Sequence, residues 1–338
     1  MGKAIIHLVS NWSHCSQILT GFLLLAERGL IDIEIKKDSD WKRKTDDYAS
    51  VIVEFNGVRI VYDLMDGYQD ISNMKCLLDE SDIYFKRSFS SNVNLQFFTS
   101  DQIQKMYPLG MNYSVYIKNN PYCFSEDVIR RIIICCLRGE RLNPYFTYKR
   151  FETTPVFKNN SIKVLFLTRL WDVSLENAEE LNSKRIKIVR MLKREYGDSF
   201  IGGVRSSELA LKYASDIVLS KIFTTKTNYL RIMKEADICI GTLGLHYSTG
   251  WKTGEYVAAS KGIVNERLVY SNPGLFEDGK NYLSFENPDE CCIRVGQLFS
   301  DPERLYEMKK ANHEYYNTYL RPDYLILNTL KRVDNGFS

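Results

Sequence analysis

Short apolar runs alternate along this chain with longer segments in which apolar residues recur at helical spacing. The first half opens on the apolar run 4–9 and continues into a helical segment that Gly29 closes. Two alternating runs within 51–64 flank Asn56-Gly57, which predicts a β-hairpin. Two further strands and a helix are predicted at 82–88, 94–99 and 125–138. Strands that alternate with helices are typical of α/β folds with largely parallel sheets.

A second series of strands and helices follows the stretch 151–161, which is polar, contains a proline and lacks periodicity, as linkers do. Its predicted strands are the apolar runs 162–170, 199–204, 236–245 and 260–266. Its predicted helices lie at about 175–195, 287–300 and 302–319, with a last one starting at Pro322. We therefore predict α/β domains at residues 1–153 and 162–315 and a C-terminal helix within 316–338.

Length and charge limit the classes of protein to which the chain can belong. Its 338 residues, 44% of them hydrophobic, are enough for two ordinary globular domains. The net charge of +3 from 45 basic and 42 acidic residues argues against a nucleic-acid partner. Two local basic clusters fit either peripheral contact with an anionic membrane or ordinary solvated faces. They comprise Lys36, Lys37, Lys42, Arg43 and Lys44, and Arg130, Arg131, Arg138, Arg141, Lys149 and Arg150.

Cysteine and histidine usage predicts neither a disulfide framework nor a metal site. The eight cysteines form no CxxC pair, and the adjacent pairs Cys135-Cys136 and Cys291-Cys292 lie in apolar helix-like segments, as buried reduced thiols do. The four histidines are scattered. The N-terminus lacks a signal-peptide pattern, and no run approaches 18 apolar residues. We expect a cytoplasmic protein without metal or cofactor, in contact with the inner face of the membrane at most peripherally.

The most informative stretch is 246–264, HYSTGWKTGEYVAASKGIV, which follows the apolar run 236–245. A Gly- and Thr-rich turn with Lys252 precedes a helix start, and Glu255 lies about one turn inside that helix. Free backbone N–H groups and the helix dipole at such a turn favour phosphate. A carboxylate there can accept hydrogen bonds from ribose hydroxyls. The stretch therefore predicts half of a nucleotide-sugar site.

Five segments of the C-terminal half occur in a recognisable order: KVLFLTRLWD, YLRIMKEADICIG, GWKTGEYVAASKGIVNE, NPGLFEDGKNYLSF and LYEMKKANHEYY. In this order they resemble the donor domain of GT-B glycosyltransferases of the group 1 type. The N-terminal half resembles the acceptor domain only in its βα start and in YDLMDG and DIYFKRS. The resemblance implies a GT-B fold, in which two Rossmann-like α/β domains face each other across a cleft and the C-terminal helix crosses back to the N-terminal domain.

The resemblance also implies residues for the donor site. In that family an arginine after the first donor-domain strand binds pyrophosphate and a helix glutamate binds ribose, which match Arg169 and Glu255. The usual lysine five residues after the arginine is Ser174 here, so Lys252 is our candidate for the second cation at the diphosphate. Arg169 can also be structural, and Glu255 can be an ordinary first-turn carboxylate that complements the helix dipole.

The family usually carries another glutamate eight residues before the helix glutamate, and this chain has Tyr247 there. The pair is therefore incomplete, and we take His246 as the candidate that replaces it near the reacting sugar. Gly250 and Thr253 are candidates to present backbone N–H groups to phosphate, although glycines also serve merely to form turns.

Candidates on the acceptor side follow the ends of predicted strands: Asn11, Trp12 and His14 after the first, Asp66 after the hairpin, and Lys86 and Arg87 at the end of 82–88. His14 and Asp66 are candidates for the base that deprotonates an acceptor hydroxyl, and Trp12 for stacking on a sugar. Lys86 and Arg87 can meet an anionic acceptor. Each also has a structural alternative, such as a loop histidine, a turn aspartate or a solvated strand end.

The leading hypothesis is a metal-independent glycosyltransferase that moves a sugar from a nucleotide-diphosphate donor to a saccharide or lipid-linked glycan. The resemblance implies retention of anomeric configuration and a place in the synthesis of cell-surface polysaccharide or glycoconjugate. Two alternatives stay open. A sugar-nucleotide 2-epimerase shares the architecture, and a non-catalytic glycan-binding relative would explain the missing glutamate.

Overall fold

The computed structural model describes residues 2–8, 13–37, 48–117 and 146–336, together with 133 and 137. The strands in these ranges are β1 Gly2–Leu8, β2 Ile31–Lys37, β3 Ser50–Phe55, β4 Val58–Asp63, β5 Ile83–Lys86, β6 Met106–Pro108, β7 Val164–Thr168, β8 Phe200–Arg205, β9 Val218–Leu219, β10 Ile238–Gly241, β11 Gly262–Glu266 and β12 Leu283–Phe285. The α-helices are α1 Ser16–Glu27, α2 Ile71–Asp79, α3 Ser91–Phe97, α4 Ser100–Gln104, α5 Ala178–Tyr196, α6 Glu208–Ala214, α7 Lys226–Glu235, α8 Trp251–Ala258, α9 Pro288–Phe299, α10 Pro302–Tyr315 and α11 Pro322–Gly336.

The N-terminal sheet has the strand order β2-β1-β3-β4-β5-β6 and is mixed. The predicted hairpin is confirmed, because β3 and β4 pair antiparallel and Asn56 and Gly57 connect them at φ 52° and 83°. Since β3 also pairs antiparallel with β1, strands β1, β4 and β5 all run in one direction. Their carboxyl ends therefore meet at one edge of the sheet.

The C-terminal sheet is wholly parallel, with the order β12-β11-β10-β7-β8-β9. Every residue of β7, β10 and β11 is buried, as expected of strands covered by helices on both faces. The chain progresses outward from β7 to β9 and then resumes on the other side of β7 with β10. The strand order thus reverses between β7 and β10, and a crevice opens at such a point outside the carboxyl ends of the strands.

One predicted strand is wrong. Most of residues 94–99 belongs to α3 and its end, because Ser90 caps the helix through a hydrogen bond from the Val93 N–H to Oγ at 3.4 Å. Leu95 then lies 72% exposed on the outer side, so the apolar run is not a buried strand. The helix predicted at 125–138 lies outside the described residues except at its positions 133 and 137.

The last helix returns to the N-terminal domain. The side chain of Ile326 is fully buried in the core that also contains Phe22 and Tyr62, and the Tyr62 hydroxyl lies 2.8 Å from Thr329 Oγ1. At its start, Asp323 pairs with Arg28 of the N-terminal domain at 2.6 Å. Two Rossmann-like α/β domains with this returning helix are the arrangement predicted from the sequence, and the GT-B-like fold class is confirmed.

The membrane predictions stay predictions. None of the described helices has the length and apolarity needed to span a bilayer. Of the two basic clusters, Lys42, Arg43 and Lys44 and the arginines 130, 131, 138 and 141 lie outside the described residues.

Candidate active site between the two domains

A cavity of about 790 Å³ lies between the domains, at the carboxyl edges of both sheets. On the C-terminal side its walls follow β7, β8 and β10, which places it at the reversal of strand order. On the N-terminal side its walls follow β1, β4 and β5. Nine of the residues singled out in the sequence line this cavity: His14, Asp66, Arg87, Arg169, His246, Gly250, Lys252, Thr253 and Glu255.

Arg87 connects the two domains across the cavity. Its guanidinium forms an ion pair with Asp66, and its Nη2 donates to the carbonyl of Thr249 in the C-terminal domain at 2.6 Å. The Arg87 side chain is 3% exposed, whereas the Asp66 side chain is 35% exposed. The carboxylate predicted as a base is therefore held by a buried cation and still reaches the cavity.

His14 lies against Trp251, with ring centroids 4.7 Å apart in an edge arrangement. Burial, together with the positive charge of Arg87, lowers the pKa of His14 from 6.5 to about 4, although Asp66 acts in the opposite direction. The imidazole is consequently neutral near pH 7. A neutral ring with so low a pKa is suited to hydrogen bonding with a hydroxyl but is a weak proton acceptor.

The turn and helix of the opening motif face the cavity as α8. Gly250 is the N-cap of this helix and supplies no side-chain hydrogen bond to its first N–H groups. The Thr253 hydroxyl attaches the helix start to β11 by donating to Asn265 Oδ1 at 3.0 Å. A Cβ at Gly241 would lie 1.8 Å from that same Asn265 oxygen, so a larger residue there would displace the amide that Thr253 contacts.

Lys252 directs its ammonium toward the end of β7, where it donates to the carbonyl of Leu167. Burial is the largest influence on it and lowers its pKa from 10.5 to about 7. Glu255 raises the pKa, while the positive charges of Arg185, Lys226 and Arg169 lower it further. An anionic ligand beside Lys252 would relieve this repulsion.

Glu255 is buried in α8, with a side chain only 3% exposed. Its Oε1 forms an ion pair with Lys226, the first residue of α7. The ammonium of Lys226 also lies 4.9 Å from the ring centroids of both Phe151 and Tyr229. The carboxylate assigned to ribose is therefore fixed in one place by a neighbouring cation.

Three arginines surround the ends of β7 and β8. Arg169 follows β7, is exposed to solvent, and stacks its guanidinium 3.9 Å from the ring centroid of Trp171. Arg205 ends β8, is exposed as well, and lies near enough to repel the charge of Arg169. Arg185 is buried and donates to the carbonyls of Arg169 and Leu243, each at 2.9 Å, so it supports the loops rather than offering its donors to a ligand.

The segment 244–248 turns back on itself, because Gly244 N–H donates to the Ser248 carbonyl at 2.8 Å. Within it His246 and Tyr247 both have left-handed backbone angles, at φ 58° and 57°, which are uncommon for such residues. The Tyr270 hydroxyl holds this conformation by donating to the His246 carbonyl at 2.9 Å. His246 lines the cavity, whereas Tyr247 is 56% exposed and is not among the cavity-lining residues.

The structure contradicts the prediction that Lys86 meets an anionic acceptor. Its ammonium is fully buried in an ion pair with Asp63 Oδ2 at 2.8 Å, and the same oxygen accepts hydrogen bonds from Tyr48 at 3.0 Å and Tyr84 at 2.7 Å. A cation so enclosed neutralises a buried carboxylate and does not reach an acceptor. Two of the acceptor candidates, Asn11 and Trp12, lie outside the described residues.

Among the described lining residues, positive charge exceeds negative. The carboxylates are Asp66 and Glu255, and each is paired with a cation, Arg87 and Lys226 respectively. The remaining cationic side chains are Arg169, Arg185, Arg205 and Lys252. Such a cavity favours a ligand that carries at least two negative charges.

Three cationic residues of the cavity were missed by the sequence reasoning. Arg205 carried a usable signal, because it is the last residue of β8 and thus lies at the carboxyl end of its strand, whereas Arg169 directly follows β7. Lys226 and Arg185 carried none, since basic residues on amphipathic helices normally lie on solvated faces.

No three His, Cys, Asp or Glu side chains in the described ranges cluster as metal ligands would. That the reaction is independent of a metal therefore stays a prediction from the sequence.

Neither family models nor curated protein sequences gave a match to this chain. Solved structures gave partial likenesses. MnaA of S. aureus, solved with UDP, has 12% identity and a TM-score of 0.46 over 99% of this chain and 97% of that one. HepE (Alr3699) of Anabaena, also solved with UDP, has 10% identity and a TM-score of 0.43 over 93% and 89%.

A third likeness is WaaG, described as a glycosyltransferase involved in lipopolysaccharide biosynthesis, with 9% identity and a TM-score of 0.42. It covers 72% of this chain, which spans only 61% of WaaG. Likenesses at this level do not assign an activity, so the functional proposal depends on the cavity itself.

Proposed function

We propose that this protein is a glycosyltransferase that binds a nucleotide-diphosphate sugar on the C-terminal side of the cavity and its acceptor on the N-terminal side. The observation that carries the proposal is the grouping, at the reversal of strand order, of Arg169, Lys252, the uncapped start of α8 and the buried Glu255. Cations and free N–H groups suit a diphosphate, and a buried carboxylate suits ribose hydroxyls.

We assign departure of the nucleotide to the cationic wall, which is the side of the cavity formed by Arg169 and Lys252. Cleavage of the bond between the sugar and the diphosphate concentrates negative charge on the leaving oxygen, and preorganised cations lower the barrier to that step. Arg169 and Lys252 are the candidates that touch the diphosphate, together with backbone N–H groups at the start of α8. The Thr253 N–H is not among them, because it already donates to the Gly250 carbonyl at 3.0 Å. With these groups in place the reaction needs no metal ion.

We assign retention of anomeric configuration to the reaction. An inverting displacement needs a base for the incoming hydroxyl, and the proton acceptors on the acceptor side are poorly suited to that role. Asp66 is paired with Arg87, and His14 has its pKa lowered to about 4. An oxygen of the departing diphosphate is then the acceptor for the hydroxyl proton, with Asp66 and His14 orienting the hydroxyl and His246 contacting the sugar.

The acceptor class, a saccharide or lipid-linked glycan in cell-surface polysaccharide or glycoconjugate synthesis, rests on the resemblance of the sequence. In the cavity, Asp66, His14 and Arg87 lie on the N-terminal side, opposite Arg169 and Lys252.

Turnover of nucleotide sugars tests the proposal. Incubation with UDP-, GDP- and dTDP-sugars should release a nucleoside diphosphate from at least one of them, slowly with water and faster with an acceptor glycan. Glu255→Ala should abolish the release, while Lys310→Met, which removes an exposed ion pair with Glu307 and a contact with the Tyr306 ring, should leave it unchanged. Proton NMR of the product reports its anomeric configuration. Interconversion of epimers would indicate an epimerase instead, and binding without turnover would indicate a non-catalytic relative.

A further inference from the structure

Lys226 lies within ion-pair distance of Glu255. It is the first residue of α7, whose N-cap Thr225 accepts a hydrogen bond from the Asn228 N–H. From there its side chain reaches over Tyr229 and Phe151 to the carboxylate of Glu255. The two rings fix the ammonium laterally, and its side chain remains 24% exposed toward the cavity that both charged residues line.

The burial of Glu255 makes this contact different from a surface ion pair. A carboxylate that is 3% exposed is unfavourable in its charged form unless a cation or hydrogen-bond donors accompany it. Without Lys226 the carboxyl group would lose its ion-pair partner and be free to rotate away, which would remove the acceptor that a pair of ribose hydroxyls requires. Fixing such an acceptor in advance also lowers the entropy that binding must overcome.

We propose that Lys226 is a positioning residue that holds the Glu255 carboxylate oriented for the ribose of the donor. The inference rests on the proposed function and extends it, because it makes recognition of the nucleoside depend on a pair of residues from two helices. Recognition of the diphosphate, in contrast, is assigned to Arg169 and Lys252.

Binding of UDP, GDP and inorganic pyrophosphate, measured by calorimetry, separates the two roles. Lys226→Met should weaken the better-bound nucleotide about tenfold or more and change pyrophosphate affinity less than about twofold. Lys226→Arg, which keeps the charge, should retain most of the affinity. Lys310→Met serves as the control for loss of a lysine in an exposed pair.

A double variant shows whether Lys226 acts through Glu255. In a Glu255→Gln background, Lys226→Met should cost no further nucleotide affinity, because the group it positions is already absent. This comparison also stands if Lys226→Met alone does not fold, since the double variant buries no unpaired carboxylate.

An equal loss of nucleotide affinity in both backgrounds would mean that Lys226 contacts the ligand directly, and it would overturn the inference. So would nucleotide affinity that Lys226→Met leaves unchanged. If the unaltered protein binds pyrophosphate, UDP and GDP not at all, the proposed function fails together with the inference.

Discussion

At the scale of single residues, Lys252 is a cation of the cavity whose charge changes near neutral pH. Its pKa of about 7 reflects burial beside other cations, and a bound diphosphate would raise it. Binding above pH 7 therefore takes up a proton, and affinity must fall as pH rises.

We expect the affinity for UDP-glucose or UDP-N-acetylglucosamine, whichever binds, to fall between pH 6 and 8.5, with a limiting slope of about tenfold per pH unit. These donors are preferable to UDP because their diphosphate does not titrate in this range. Calorimetry at several pH values measures the slope. Lys252→Arg should flatten it, and an equally steep slope in that variant would assign the proton to another group.

His14 should affect stability in acid. Its pKa in the folded protein, about 4, lies below the usual 6.5, so the neutral form is favoured by folding. The resulting stability is present above pH 6.5 and is lost as pH falls toward 4. Urea unfolding should show that His14→Gln loses less stability between pH 7 and 5 than the unaltered protein, by about 2 kcal/mol. Identical losses would show that the ring is not buried as described.

At the scale of elements, the start of α8 is held by its contact with β10 and β11. Gly241→Ala would place a methyl group on the Asn265 oxygen that accepts a hydrogen bond from the Thr253 hydroxyl, and the Asn265 amide would have to shift away from Thr253. We expect a loss of about 1–3 kcal/mol in stability and weaker donor binding. Gly296→Ala is the matched control, because a Cβ there meets only the Tyr196 hydroxyl at 3.5 Å. Equal effects of the two changes would contradict the tight packing.

Turn residues and apolar runs along the sequence predict several of these elements correctly. The pair Asn56-Gly57 determines its hairpin by turn chemistry alone, and buried strands such as β7 and β11 are visible as apolar runs. The strand predicted at 94–99 is wrong because its apolar residues suit either a helix or a strand. Ser90, the residue that caps the helix, lies before the segment. The sequence does not indicate a role for Lys226 for a different reason. Its partner Glu255 lies 29 positions away, and only the tertiary fold brings the two side chains together.

At the scale of the whole molecule, α11 ties the end of the chain to the N-terminal domain. Ile326 is fully buried there, whereas Ile293 of α9 is 59% exposed. Ile326→Ala should lower the unfolding free energy by about 2–5 kcal/mol, and Ile293→Ala should change it by less than about 0.5 kcal/mol. Chemical denaturation measures both. Similar small losses for the two variants would mean that α11 does not anchor the domain.

The cavity between the domains also links residues that no local pattern connects. Arg87 follows β5 of the N-terminal domain and donates to the Thr249 carbonyl of the C-terminal domain. It therefore connects the N-terminal side of the cavity to the turn before α8. The sequence could nominate residues on each side because strand ends in α/β sheets are predictable sites. It could not show that Lys86 points into the domain core while its neighbour Arg87 faces the cavity.

The central claim is that the cationic wall of this cavity binds the diphosphate of a nucleotide sugar. Calorimetric titration with UDP-, GDP- and dTDP-sugars, and with a CMP-sugar that carries a single phosphate, tests it most directly. We predict that at least one diphosphate donor binds, that the CMP-sugar binds more weakly, and that Arg169→Ala lowers the affinity about tenfold or more. Arg190→Ala, which removes an exposed pair with Asp216, should have no effect. Failure of every diphosphate donor to bind, or equal affinities in the Arg169→Ala and Arg190→Ala variants, would contradict the claim.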